Sequence, residues 1–353
     1  MSGPVTIFAD HIAKDFGSTR ALDDVSVRFN GGEVHGVVGE NGAGKSTLMK
    51  ILSGVEQPSD GRIVLDDQPV RFRDVVEAAR AGVVMIHQEL NLVEELSVAE
   101  NIFLGREQSR GALIDRRAME ERTGQIMRRL ATTIEPRTRV GDLRLAQRQM
   151  VEIGKALARD ARIIIMDEPT AVLTRNEIAA LFRVIQQLRG DGVAVIYISH
   201  LLAEVLKICD SITVLRDGKN VANLEGRAAR TATEPQLAGL MVGRVMGQHY
   251  PPRAAKIGQT VLNVTGLSVD RYVRDVSFNV RAGEILGFAG LIGAGRTEVA
   301  EAIVGLRRRD QGMIQIDRLI VDPKSPRQAV SAGIAYVPED RKNSGLMLEM
   351  SIA

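Results

Sequence analysis

The sequence predicts an α/β fold built around a phosphate-binding loop, with one complete copy followed by the start of a second. Three observations carry that reading. Short β-branched runs, "SVRF", "EVHGVV", "RIIIMD" and "VAVIYIS", alternate with helix-period segments such as "NEIAALFRVIQQLRG", the pattern of a largely parallel sheet covered by helices. "GENGAGKST", Gly39 to Thr47, fits the spacing G-x-x-x-x-G-K-[ST] at every position. "GLIGAGRTE", Gly290 to Glu298, repeats that loop with Arg296 in place of the lysine. Five glycine pairs, Gly32/Gly283, Gly39/Gly290, Gly54/Gly305, Gly61/Gly312 and Gly82/Gly333, share one spacing of 251 residues, so the chain is a tandem repeat.

The elements follow from this alignment. "DDVSVRFNGGEVHGVVGENGAGKST" lies over "RDVSFNVRAGEILGFAGLIGAGRTE" and "AGVVMIHQE" over "AGIAYVPED", which sets Glu339 opposite Gln88; at the same spacing Leu267 falls opposite Phe16. Residues 1–245 are expected to form the first domain. Residues 246–259, "MGQHYPPRAAKIGQ", read as a linker because two prolines stand among small and polar residues. Residues 260–353 are expected to be the N-terminal part of a second domain, cut off partway. Between Gln88 and the sheet strand beginning at Arg162 lies a mostly helical insertion, opened by a capping box Ser97-x-x-Glu100, with Asp115 capping a second helix. A further capping box, Thr174-x-x-Glu177, starts the helix after "DEPT".

Composition narrows the partners. With 353 residues, 44% of them hydrophobic, the chain can bury the cores of about two domains. Lys+Arg 46 against Asp+Glu 44 leaves a net charge of +2, so no basic stripe argues for nucleic acid. The single cysteine, Cys209, excludes an internal disulfide framework and is assigned no chemistry. No basic segment leads into an apolar one at the N-terminus, and apolar runs such as "VAVIYI" are far shorter than a membrane span, so membrane association is expected to be peripheral.

The loop residues have assignable tasks. Gly39, Gly42 and Gly44, with Asn41 between them, let backbone N–H groups curl around phosphate oxygens, and the following helix points its positive end at them. Lys45 supplies a point charge to the β- and γ-phosphates, Ser46 ligates Mg²⁺ through its hydroxyl, and Thr47 hydrogen-bonds phosphate. "RIIIMDEPT" ends a buried strand in two carboxylates: Asp167 suits the outer sphere of the metal, and Glu168 polarises the attacking water.

"GENGAGKST", "HQE", "QMVEIGKAL", "IIIMDEPT" and "YISH" resemble the nucleotide-binding subunits of ABC transporters over almost the whole chain. "HQELNLVEELSVAENIFLGRE", with "GLIGAGRTE" and "YVPEDRK" in the second copy, is similar to monosaccharide importers of the ribose, galactose and xylose type. The resemblance implies an ABC-type nucleotide-binding domain with a helical subdomain, ATP and Mg²⁺ as cofactors, and ATP hydrolysis that drives sugar import. It implies that Gln88 links the γ-phosphate and metal to the membrane partner, that His200 contacts the γ-phosphate, and that Phe16 stacks on adenine. Taken alone, such a Phe reads as core, such a His as structural and such a Gln as surface. The implied partners are membrane permease subunits and, indirectly, a periplasmic or extracellular sugar-binding protein, which places the chain on the cytoplasmic face of the bacterial membrane. The sugar itself is chosen by those partners.

In that family each nucleotide lies between the phosphate loop of one domain and a signature, typically Leu-Ser-Gly-Gly-Gln, of the other. The first copy reads "LRLAQ" at Leu143 to Gln147: Arg144 replaces the serine, and Leu145 and Ala146 replace the glycines that allow close backbone approach. That signature faces the second loop, where Arg296 is no substitute for a lysine point charge and Glu298 competes with phosphate for the helix dipole. The irregularities gather in one composite site, so one regular and one degenerate site are expected. The alternative is a soluble tandem ATPase acting on ribosomes or DNA, which a long charged linker or a basic face would favour; neither is present.

Overall fold

The computed structural model describes residues 5–87, 90–110, 113–170, 173–243, 256–290, 293–338, 345–347 and 350–351. The chain divides into two compact units, residues 1–249 and 250–353. The first opens with strands β1 (Thr6–Phe16), β2 (Thr19–Asn30) and β3 (Val34–Val38), then helix α1 (Lys45–Leu52). There follow β4 (Asp60–Leu65), β5 (Gln68–Val70), α2 (Val75–Arg80) and β6 (Val83–Ile86). The insertion comprises α3 (Val98–Phe103), a small hairpin of β7 (Ser109–Arg110) and β8 (Leu113–Ile114), α4 (Arg116–Arg129) and α5 (Leu145–Leu157). The unit closes with β9 (Ile163–Asp167), α6 (Arg175–Gly190), β10 (Ala194–Ile198), α7 (Leu202–Ile208), β11 (Ser211–Arg216), β12 (Lys219–Glu225), α8 (Arg227–Thr231) and α9 (Glu234–Val242).

Two sheets organise this unit. The core sheet runs β12-β11-β3-β10-β9-β6, parallel except for β12, and an antiparallel sheet runs β2-β1-β4-β5. Because both faces of the core sheet are covered at its centre, residues 163–166 of β9 and Ala194–Ile198 of β10 read as unbroken apolar runs. Ile163 and Ile165 of β9 pack with α1 and the antiparallel sheet on one face, while Ile164 and Met166 pack with the insertion helices and α6 on the other. The capping boxes form as expected: Ser97 Oγ accepts the Glu100 N–H at 3.2 Å while Glu100 accepts the Ser97 N–H at 2.9 Å, and Glu177 accepts the Thr174 N–H at 2.8 Å. Asp115 accepts the Ala118 N–H at 3.0 Å. Cys209 packs under Gly36, and burial pushes its thiol up, away from thiolate chemistry.

The second unit contains β13 (Thr260–Val269), β14 (Val273–Arg281), α10 (Arg296–Ile303), β15 (Gln311–Ile316), β16 (Leu319–Val321) and α11 (Pro326–Ser331). Its sheet runs β14-β13-β15-β16, the order of β2-β1-β4-β5 in the first unit. The match corrects the sequence alignment at one point. Ile12 pairs with Val25 in β1–β2, whereas Leu267 pairs with Val276 in β13–β14, and Val276 is the residue 251 after Val25. Leu267 is therefore the counterpart of Ile12, both fully buried, and not of the exposed Phe16. The preceding residues agree: His11 (φ 53) and Gly266 (φ 62) are left-handed, and each donates its N–H to a serine, Ser26 Oγ at 3.0 Å and Ser277 Oγ at 2.8 Å. The second hairpin is simply shorter, and a gap inside it is invisible to glycines that all lie beyond it.

Residues 284–290 and 334–338, which match β3 and β6, form no strand. Ile285 is 85% and Val337 89% exposed, against 0% for Val34 and 2% for Ile86. In the first unit β3 and β6 are held by β9, β10 and β11.

Candidate functional site

β3 delivers the chain into the first loop at the carboxyl end of the core sheet. Gly42 and Gly44 take φ of 86 and 100, a region where a side chain would be strained, and a Cβ on Gly39 would stand 2.4 Å from the Leu215 carbonyl oxygen. Gly44 then caps α1, and Lys45 begins it. Lys45 is only 8% exposed, and its ammonium donates to the Gly39 and Glu40 carbonyls at 2.8 and 2.9 Å. Burial lowers its pKa, and the charges of Glu168 and Asp167 oppose that shift. Asn41, Gly42 and Ser46 are exposed, and Thr47 is half-buried.

The carboxylates arrive from two strands away. β10 lies between β3 and β9, and Ile198 pairs with both Val37 and Asp167, so the three strand ends are level. Burial and the neighbouring Glu168 raise the Asp167 pKa, against the positive field of His87, Lys45 and Lys50. Glu168 adopts a left-handed backbone, φ 47, pinned by its N–H to the Ile198 carbonyl at 3.0 Å. Its carboxylate meets His200 Nδ1 at 3.1 Å. The structure thus brings Lys45, Asp167, Glu168 and His200 together at one edge of the sheet. His87 belongs beside Asp167, which sequence reasoning passed over.

Phe16 is 46% exposed at the end of β1, with the Lys14 ammonium 4.9 Å from its ring centre. Its hairpin lies against the loop, since a Cβ on Gly44 would reach the Leu22 side chain at 2.6 Å and the Ala21 carbonyl at 2.8 Å. Gln88 and Glu339 lie outside the described residues. At the signature position Arg144 precedes the first turn of α5, Gln147 Oε1 accepts the Arg144 N–H at 3.0 Å, and Leu145 is 41% exposed. Glu204, Tyr197, Thr170 and Ser199 form a hydrogen-bonded cluster behind His200 that no sequence motif announced.

At its described glycines the second loop keeps the backbone of the first. Gly293 and Gly295 take φ of 79 and 85, and Gly295 caps α10. Arg296 is exposed where Lys45 is buried.

A family model described as ABC transporter matches residues 22–171 and 273–352. The chain is 49% identical to a putative ribose/galactose/methyl galactoside import ATP-binding protein of Burkholderia ambifaria, over 97% of this chain and 66% of that protein. It is 49% identical to a ribose import ATP-binding protein of Rubrobacter xylanophilus, over 97% of this chain and 68% of that one. The chain therefore spans about two thirds of the length of these relatives. A solved nucleotide-free ATP-binding cassette from an ABC transporter superposes with a TM-score of 0.60 and 26% identity, covering 69% of this chain and all of that one.

Proposed function

The chain belongs to the ABC transporter family of ATPases, and on that premise we propose that it binds MgATP at the Lys45 loop and hydrolyses it to energise import of a monosaccharide through a membrane permease. The observation that carries this is the convergence of Lys45, Asp167, Glu168 and His200 at the carboxyl ends of β3, β9 and β10. The Ser46 hydroxyl at the mouth of the loop and the Asp167 carboxylate at the strand end are hard oxygen donors, which suit Mg²⁺. The metal, when bound, neutralises charge on the β- and γ-phosphates.

Each side chain then has a task. Phosphate oxygens replace the Gly39 and Glu40 carbonyls as acceptors of the Lys45 ammonium. Glu168 orients a water for attack on the γ-phosphorus and takes up its proton as the bond to the β-phosphate oxygen breaks, giving ADP and phosphate. His200 must leave Glu168 for that water to enter, and its freed ring meets the γ-phosphate. Phe16 stacks on the adenine, and Gln88 carries the state of the γ-phosphate to the permease.

The permease reading rests on the relatives' names, which specify import of ribose, galactose or methyl galactoside, and on apolar side chains exposed near the insertion, among them Val55, Val75 and Val93. Leu92 is unsuited to that role, because it packs against the core and the Val93 backbone is pinned by Asn101 at 2.8 and 2.9 Å. Among the described residues no helix is long and apolar enough to cross a membrane, which fits a peripheral subunit on the cytoplasmic face. The second loop is read as a degenerate, regulatory site, supported by Arg296 in place of the lysine and by Glu298 in the first turn of α10. Phosphate release stimulated by a panel of sugar-loaded binding proteins, with the permease in vesicles, tests the function. A rate that no sugar changes would remove sugar import and favour the soluble alternative.

A further inference from the structure

Three hydroxyl groups converge on one carboxylate oxygen behind the site. Glu204 Oε2 accepts from Thr170 Oγ1 at 2.7 Å, from Tyr197 OH at 2.7 Å and from Ser199 Oγ at 3.4 Å. The donors come from separate places: Thr170 stands two residues after Glu168, Tyr197 is within β10, and Ser199 immediately precedes His200. All three are buried, at 4%, 0% and 2% exposure. Ser199 Oγ in turn accepts the Leu201 N–H at 3.0 Å, which fixes the turn that carries His200.

An ionised carboxylate only accepts hydrogen bonds, so it can take several O–H donors at once. Removing it would take away the acceptor that three buried hydroxyls share. Beyond the pairing of β9 with β10, the chain leaving Glu168 and the chain entering His200 are joined, among the described residues, by the Glu168 N–H to Ile198 bond and by the contact between Glu168 and His200 themselves, and the latter must open for hydrolysis. We propose that Glu204 is a positioning residue: it ties Thr170 to Ser199, so that Glu168 and His200 return to the same relative geometry when their own contact breaks. This role rests on the reading of Glu168 and His200 as the hydrolytic pair.

Single-turnover phosphate release and fluorescent-nucleotide titration of MgATP test it on the whole chain, for Glu204→Ala, Glu204→Gln and Glu204→Asp, and for Glu204→Ala combined with Glu168→Gln. A misplacement of 1 Å costs about 100-fold in rate, so Glu204→Ala is expected to slow hydrolysis by about 30- to 100-fold while MgATP affinity stays within about twofold. Glu204→Gln, whose amide oxygen still accepts, is expected to recover to within about fivefold of the unmodified chain. Glu204→Ala should add little to Glu168→Gln, because the two act through one group. Where the alanine variant does not fold, Glu204→Asp keeps the acceptor and shortens its reach, and its rate should fall below that of the glutamine variant while MgATP affinity holds. Unchanged rates with only a lower melting temperature, a parallel loss of MgATP affinity, or additive effects in the double variant would each overturn the proposal. An unmodified chain that releases no phosphate would overturn the ATPase reading itself, and this role with it.

Discussion

The two phosphate loops share a backbone at their described glycines and differ in what surrounds it. Gly42 and Gly293 take φ of 86 and 79, Gly44 and Gly295 100 and 85, and a Cβ on Gly39 or on Gly290 would stand 3.0 Å from the methyl of the alanine four residues on. Yet Lys45 is buried beside two carboxylates, and Arg296 is exposed. The loop conformation is therefore local, set by glycine spacing, and survives wherever the antiparallel sheet and the following helix form. The proposed chemistry is non-local, since it needs β9 and β10 to bring Asp167, Glu168 and His200 to the same edge.

The largest expected effect breaks the first site without touching its loop. Glu168→Gln keeps the shape and removes the proton acceptor, so hydrolysis should slow by about 10²- to 10⁴-fold, the usual worth of a general base. MgATP affinity should hold. Equal losses of rate and affinity, seen by phosphate release and nucleotide titration, would deny Glu168 that role. The next effect compares the loops directly. Lys45→Ala removes a buried charged donor and should weaken MgATP binding by about 100-fold, the scale of one or two hydrogen bonds to a charged group. Arg296→Ala should leave the affinity within about twofold of the unmodified chain. If Arg296→Ala proves the more damaging, the second loop is the working one.

Much of this site could be read from the sequence because its parts are short and contiguous. The loop needs nine residues, and an apolar strand ending in Asp167-Glu168 needs only a few more. What could not be read is what depends on strand order. Nothing in "IIIMDEPT" or "YISH" says that β10 separates β3 from β9, or that His200 reaches Glu168. A uniform spacing of 251 sets Leu267 opposite Phe16 because the aligned glycines all follow the hairpin, and a shortened hairpin leaves them in register. Glu204 sits on the first turn of a seven-residue helix, where a glutamate reads as an ordinary solvated residue until its three hydroxyl partners are seen.

A third effect concerns pH. His35 is buried in β3, while its counterpart Leu286 is 38% exposed. Thr213 Oγ1 donates to Asn223 Oδ1 at 2.8 Å and so accepts from His35 Nε2 at 2.7 Å, which leaves Nδ1 to accept from Ser211 Oγ at 2.8 Å. The ring is held neutral, and burial pushes its pKa down from 6.5 to about 4. Unfolded His35 takes a proton as pH falls through 6.5, whereas the folded ring does not until about 4. Its contribution to stability is therefore complete above pH 6.5 and is lost between 6.5 and 4, a total on the order of 3 kcal/mol. Urea unfolding at pH 7 and pH 5 should show the first unit losing about 2 kcal/mol over that interval. His35→Gln should remove the difference, and a pH slope that survives the substitution belongs to another group.

The smallest effect asks whether the second unit uses the apolar residues it shares with the first. Val34 and Ile285 occupy matching positions, yet one is fully buried in β3 between β10 and β11 and the other is 85% exposed. Val34→Ala removes two methyl groups from a closed sheet and leaves a cavity, so it should destabilise the first unit by about 2 kcal/mol. Ile285→Ala removes a larger group from solvent and should change stability by less than about 0.5 kcal/mol. Because the units need not unfold together, each variant is read from its own transition in a denaturant titration followed by more than one probe. If Ile285→Ala costs as much as Val34→Ala, residue 285 is covered in solution, and the second loop stands on a strand that has found a partner. The contrast between a local loop and a non-local site would then have to be redrawn, because Arg296 would share the burial that distinguishes Lys45.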